Sequence, residues 1–185
     1  TPAAAALASS FGLESLPLPI RAVGVKADLR AYEHPVLLSG EVPWERLILA
    51  VSAITAKVPG VNRCVWNLAG AHPASARPLA ATVTRPRLDL LREADHSVME
   101  ALRTWGLYDQ VWQCPTVLLP LSLGERPGET VVLRPIRSQR AMTATPVELP
   151  AAMRSELARD ILALPGISGV LLDVTSKPPG TIEWE

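Results

Sequence analysis

Ala56-Lys57-Val58-Pro59-Gly60-Val61-Asn62-Arg63 returns in outline as Leu162-Ala163-Leu164-Pro165-Gly166-Ile167-Ser168-Gly169. In both stretches an apolar run meets Pro-Gly and a second apolar run follows. Proline cannot donate the next helical hydrogen bond and glycine accepts the left-handed turn, so each Pro-Gly reads as the end of a helix. Working upstream, Pro43 opens the first helix at its favoured first position, with Leu47, Val51, Ile54 and Val58 at helical spacing. Pro150 opens its counterpart, with Met153, Leu157, Ile161 and Leu164 on one stripe. Each helix follows a hairpin pattern: strands at 16–25 and 32–38 around a polar turn at 26–30, then strands at 111–121 and 130–136 around a Gly124…Gly128 turn. Short strands at 63–68 and 170–174 come after the Pro-Gly stops. The unit strand–strand–helix–Pro-Gly–strand therefore occurs twice, and a repeat of this kind decides the architecture.

The second unit has a further leading helix at 88–105, with Leu88, Leu91, Val98, Leu102 and Trp105 on one face and Gly106 as its C-cap. The expected fold is α+β: two tandem small antiparallel sheets, each covered by helices on one face, joined as an internal pseudo-dimer. The first copy takes residues 1–70, with 1–15 Ala/Ser-rich and weakly structured. Pro73, Pro78 and Pro86 mark a linker at 71–86, and the second copy takes 87–185.

Composition narrows the function. The chain has 185 residues, of which 48% are hydrophobic and 19% charged, so it is long enough and apolar enough to bury a core without staples. Lys+Arg and Asp+Glu are both 18. Such a balance argues against a nucleic-acid surface, which needs clustered cations. The longest stretch without a charged residue, 111–124, is too short for a bilayer and holds Pro115 and Pro120. The first ten residues lack the basic and apolar regions of a signal peptide. Cys64 and Cys114 form neither a disulfide framework nor a CxxC pair, so a reducing, cytoplasmic location is expected. His34, His72 and His96 show no ligand spacing, and no metal site is expected.

The segment Ser176-Lys177-Pro178-Pro179-Gly180-Thr181-Ile182-Glu183-Trp184-Glu185 resembles the C-terminal signature of GMP synthase, the glutamine-dependent ligase that aminates xanthosine monophosphate (XMP). Leu18-Pro19-Ile20-Arg21-Ala22-Val23-Gly24-Val25 with Asp28, Arg30 and Tyr32, the Pro59–Arg63 turn, Leu90–Asp95, Trp112-Gln113, Val131–Arg134 and Met142-Thr143 resemble further segments of that family in order. The resemblance covers about 16–185, and the doubled unit is most similar to eukaryotic-type enzymes, which carry two copies of the dimerisation domain in one chain. It implies a C-terminal XMP-binding module that positions XMP for ATP-dependent amination to GMP. The ATP loop of the family needs a Gly-Gly pair, absent here, and neither cysteine has a nucleophile's context. ATP and Mg are accordingly expected only on an ATP-pyrophosphatase domain or subunit, which would be the partner of this chain. No cofactor and no catalytic residue is expected in the chain itself, and the internal pseudo-dimer is compatible with a monomer.

The resemblance implies that Lys177 and Glu183 contact XMP, that Asp28 and Arg30 lie near the nucleotide, and that Gln113 reads a purine edge. Each has a plainer reading. Lys177 lies in a strap stiffened by two prolines, with Ile182 and Trp184 packing beneath; Asp28 and Arg30 form a solvated turn pair; Gln113 is an ordinary polar strand residue. Arg134, before Pro135, reads as a surface arginine on an edge strand. The family usually has arginine eight residues before the signature lysine, and here Gly169 occupies that place. Arg140-Ala141 and Ala27 are further departures. Losing a guanidinium fork would remove a bidentate anion contact, which keeps open an alternative: a non-catalytic assembly or regulatory module that retains the fold without productive nucleotide binding.

Overall fold

Every residue of Val61–Asn67 and of Ile167–Asp173 is buried, so these two strands lie inside a sheet covered on both faces. The structure is a computed structural model that describes residues 1–26 and 29–184. In chain order its elements are α1 (Pro2–Ser10), β1 (Glu14–Pro17), β2 (Ala22–Lys26), β3 (Leu29–Ser39), α2 (Trp44–Lys57), β4 (Val61–Asn67) and β5 (Ala76–Pro78). Then come α3 (Arg85–Thr104), β6 (Thr116–Leu119), β7 (Leu121–Leu123), β8 (Glu129–Leu133), β9 (Ile136–Arg137), β10 (Thr145–Pro146), α4 (Ala151–Leu162) and β11 (Ile167–Asp173).

The α+β class holds. The two sheets expected from the sequence are fused edge to edge into one, in the order β1-β3-β4-β11-β8-β6, with β2 paired to β3. The join is an antiparallel ladder between β4 and β11. Within each half the pairing is mixed rather than purely antiparallel. β3 runs parallel to β4 across α2, and β8 runs parallel to β11 across α4, since a helical crossover returns the chain in the same direction. The order α1-β1-β3-α2-β4 thus recurs as α3-β6-β8-α4-β11.

The helices gather on one face. Leu47, Ala50 and Ile54 of α2, Val98 and Leu102 of α3, and Met153, Leu157 and Ile161 of α4 share a core with Cys64, Trp66, Val131, Val170 and Leu172 of the sheet. The alternate strand residues Leu37, Val65, Val132 and Leu171 face the other way, against Leu18, Leu121 and Leu123.

Three local expectations change. The first ten residues form a capped helix: Thr1 Oγ1 accepts from the Ala4 amide, and Ala4 and Ala8 are buried. The buried stripe of α3 is Ala94, Val98, Ala101 and Leu102, while Leu88 and Trp105 lie on its margin, because the alanines allow a close approach to the sheet that larger residues would hold off. Arg134 is fully buried, and the strand it follows, β8, is interior, flanked by β11 and β6. Among the described residues, no helix is long and apolar enough to cross a membrane.

Candidate functional site

Three charged residues lie on neighbouring strands, on the face away from the helices. Arg63 is on β4, Asp173 ends β11 and Arg134 follows β8. Register explains their meeting: Asp173 stands opposite Val65, and Arg63 is two residues along the same face, within diagonal reach. Arg63 Nη1 lies 2.6 Å from Asp173 Oδ2, and Arg134 Nη1 lies 2.8 Å from Asp173 Oδ1; all three side chains are sealed from solvent. The Thr175 amide donates to Oδ1 at 3.0 Å and the Trp184 indole N–H to Oδ2 at 2.8 Å. Burial pushes the Asp173 carboxyl up, but Arg134, Arg63 and the Thr175 amide outweigh it and hold the group below the usual carboxylate range. Burial also pulls the Arg134 guanidinium below its ordinary value, opposed by Asp173 and by the Glu183 carboxylate.

This buried cluster carries the C-terminal tail. Arg63 Nη2 donates to Thr181 Oγ1 at 2.8 Å and to the Glu183 carbonyl at 3.2 Å. Arg134 Nε donates to the Ile182 carbonyl at 2.9 Å. The Arg63 guanidinium also lies 4.8 Å from the centre of the Trp184 ring, a cation–π contact that desolvation strengthens. The tail is held at two further points. Lys177 exchanges backbone hydrogen bonds with Ala144, and the Val25 amide of β2 donates to the Pro179 carbonyl at 2.8 Å. The second point explains Gly24: a β-carbon there would lie 2.7 Å from both the Pro179 oxygen and Asn62 Nδ2.

The residues singled out from the sequence distribute around this tail. Lys177 is half-buried, and its Nζ donates to the Ala141 carbonyl at 2.7 Å. Ala141 takes a positive φ of 58° and belongs to the loop between β9 and β10. That loop contributes Gln139, Arg140 and Met142, with Arg137 of β9, to a cleft of about 820 Å³ whose other wall includes Trp112. Gln113 is exposed ahead of β6, outside the lining of this cleft, and its carbonyl accepts from the Ile136 amide of β9 at 2.9 Å. Glu183 is exposed, with its carboxylate in the field of Arg134. Arg30 is exposed on β3, opposite Val25, the strand residue bonded to the tail. Asp28 lies outside the described residues. So Lys177 and Glu183 lie on the tail, Arg30 on the strand whose partner Val25 meets it, and Gln113 on the bridge to β9, ahead of the loop that Lys177 tethers.

Sequence reasoning passed over Asp173 and misplaced Arg134. Their signal is an isolated charge in a strand apolar on both faces: Asp173 in Val170–Val174 and Arg63 in Val61–Trp66. A charge in such a run needs a buried partner. The first half supplies a buried guanidinium to the tail through Arg63, which anchors the tail and is not exposed to a ligand. Among the described residues, no three His, Cys, Asp or Glu side chains are placed to hold a metal ion.

Residues 100–184 match the family described as the GMP synthase C terminal domain. A probable glutamine-hydrolyzing GMP synthase of Leptospira interrogans is 37% identical over 191 residues, covering 97% of this chain and 30% of that protein. Glutamine-hydrolyzing GMP synthases of Leifsonia xyli subsp. xyli and Streptomyces coelicolor are each 45% identical over 115 residues, 58% of this chain and 23% and 22% of theirs. The chain thus spans less than a third of the length of these curated relatives.

Proposed function

We propose that this chain, which carries a GMP synthase C-terminal domain over residues 100–184, is the XMP-binding module of a GMP synthase, built from two tandem copies of that domain. Its task would be to position XMP for ATP-dependent amination to GMP. ATP and Mg²⁺ would be handled by an ATP-pyrophosphatase domain or subunit. There the xanthine oxygen would be adenylated, and ammonia from glutamine would displace AMP. The chain's own residues would contribute orientation rather than a nucleophile, and holding the substrate in register with an activated partner accounts for large rate factors by itself.

The observation that carries this reading is the fixed tail. Lys177 is locked at its backbone to Ala144 and at its ammonium to Ala141. Two of its three N–H donors remain for an anion. A preorganised ammonium suits a phosphate, an exposed Glu183 carboxylate suits a sugar hydroxyl, and the Gln113 amide suits a purine edge. The assembly-only alternative rests on the missing arginine at Gly169, and Arg63, sealed from solvent against Asp173, anchors the tail rather than replacing that anion contact.

Calorimetric titration with XMP, with GMP and AMP as controls, tests the proposal. Saturable XMP-selective binding that Lys177→Ala abolishes is the expected result. Binding unchanged in Lys177→Ala, or none at millimolar XMP with an ATP-pyrophosphatase partner present, would overturn it.

A further inference from the structure

The ladder between β4 and β11 defines a dyad. Trp66 pairs with Leu172, and this pair is flanked by Val65–Asp173 and Asn67–Leu171. Rotation about the central pair exchanges residue 63 with 169 and residue 67 with 173. The rest of the sheet obeys the same exchange. Val36 pairs with Cys64 and Leu38 with Trp66 in one half, as Val131 pairs with Val170 and Leu133 with Leu172 in the other. Both ladders even slip at the same step, His34/Pro35 in one and Ile167/Gly169 in the other. The residue that follows Leu133, Arg134, maps onto Ser39, which follows Leu38.

The two loci so related have opposite characters. One holds Arg63, Asp173 and Arg134. The other holds Gly169, Asn67 and Ser39, so all three charges are missing together. A β-carbon at 169 would lie 2.6 Å from Leu123 Cδ1, so that leucine would have to turn aside, and the locus borders a cleft of about 340 Å³. Asn67 is spent locally, donating to the Ala71 carbonyl at 2.8 Å and accepting from the Ala69 amide at 3.0 Å. Ser39 Oγ sits 3.0 Å from His72 Nδ1. Four residues past Asp173 comes Lys177; four past Asn67 comes Ala71, with no cation to offer.

We infer that the chain builds one site for a nucleoside monophosphate, not two, and that this site is divided between the halves. Arg63, on the first half, is a positioning residue for the tail of the second, and the dyad-related locus lacks all three buried charges. The identity of the ligand rests on the function proposed above; the role of Arg63 toward the tail does not. An arginine pointing into its own half would leave the tail free. This one spans the join and fixes Thr181, Glu183 and Trp184 through contacts to side chain, carbonyl and ring. The lysine and glutamate of the tail are then presented only when both halves are assembled.

Hydrogen exchange of the tail peptide 174–184 and XMP titration of the full chain test this together. Wild type is expected to bind one XMP per chain. Arg63→Gln is expected to raise tail exchange and weaken XMP by about tenfold or more, the scale of one lost charge-assisted contact. Thr181→Val removes the hydroxyl that Arg63 grips, with that hydroxyl's own bonds to the Val23 and Glu183 carbonyls, and leaves the buried ion pair in place; if Arg63→Gln folds poorly it tests the anchorage of the tail at this point, and faster tail exchange is again expected. Asn67→Ala, at the dyad-related locus, should change neither tail exchange nor XMP affinity. Two XMP per chain, or a tail as protected in both Arg63→Gln and Thr181→Val as in wild type, would overturn the inference. Failure of wild type to bind XMP counts against the proposed function, and the exchange measurement still decides the role of Arg63.

Discussion

A β-carbon placed on Gly169 would stand 2.6 Å from Leu123 Cδ1, so the leucine occupies the room that an arginine at this position would need. Gly169→Arg is therefore not a repair. It must turn Leu123 aside from the second, smaller core, and it meets Asn67 where Arg63 meets Asp173. Overpacking of this kind costs about 1–3 kcal/mol. Urea unfolding should show a lower midpoint for Gly169→Arg; a midpoint at or above wild type would refute the steric argument.

Asp173 is the only acid among three buried charges, and its loss leaves two guanidiniums facing each other. Breaking a buried pair at one partner costs about 3–5 kcal/mol. Asp173→Asn keeps the shape but not the charge, so it should destabilise on that scale and more than any surface pair. Arg103→Ala, which removes an exposed pair with Glu100, is the comparison; surface pairs contribute at most about 1 kcal/mol.

The same carboxylate sets an acid limit. Its folded pKa lies below the ordinary value because Arg134 and Arg63 overcome the cost of burial. A depressed folded value means that the unfolded chain takes up the proton first as pH falls. The stability it contributes is present in full above its unfolded value, about 3.9, and disappears as pH drops through the lower folded one. Urea midpoints followed downward from neutral pH should fall in wild type, and the fall should be shallower in Asp173→Asn. Parallel curves would show that Asp173 is not the group responsible.

Gly24 is where the first hairpin meets the tail. A methyl group here would lie 2.7 Å from the Pro179 carbonyl and from Asn62 Nδ2, which itself donates to the Ala22 carbonyl at 2.6 Å. Gly24→Ala should lower Tm and shorten the protection of the Val25 amide in hydrogen exchange. A Tm equal to wild type would mean that the tail can lift off without loss.

Cys64 is sealed from solvent, while Cys114 is partly exposed. Burial pushes the Cys64 thiol far up, and it pushes Cys114 up to about 12. Only the thiolate reacts, so a disulfide reagent at mildly alkaline pH should leave Cys64 unlabelled until denaturant is added. Rapid labelling of Cys64 in the native chain would contradict its place beneath the helices.

Local periodicity was a dependable guide wherever one face of an element had to be apolar. Leu47, Val51 and Ile54, and again Met153, Leu157 and Ile161, fall on the core side because helical spacing leaves no other way to bury them. It failed where small residues carry the contact, as in α1 and α3, because alanine is too weak a hydrophobic marker to set a phase. It failed differently at Arg134. Proline after it suggests an edge, but backbone pattern says nothing of which strands lie on either side.

The sequence by itself determined that a strand–strand–helix–Pro-Gly–strand unit is written twice and that the chain ends in a stiff, lysine-bearing segment, because turn chemistry and helical spacing are local properties. Only the tertiary structure decided that the two units share one sheet, that Arg63 crosses the join to hold the tail beside Asp173 and Arg134, and that Leu123 lies against the equivalent place at Gly169. Those relations depend on the register between β4 and β11, distant segments whose alignment is selected by the burial of both strands at once, and no window of neighbouring residues contains that information.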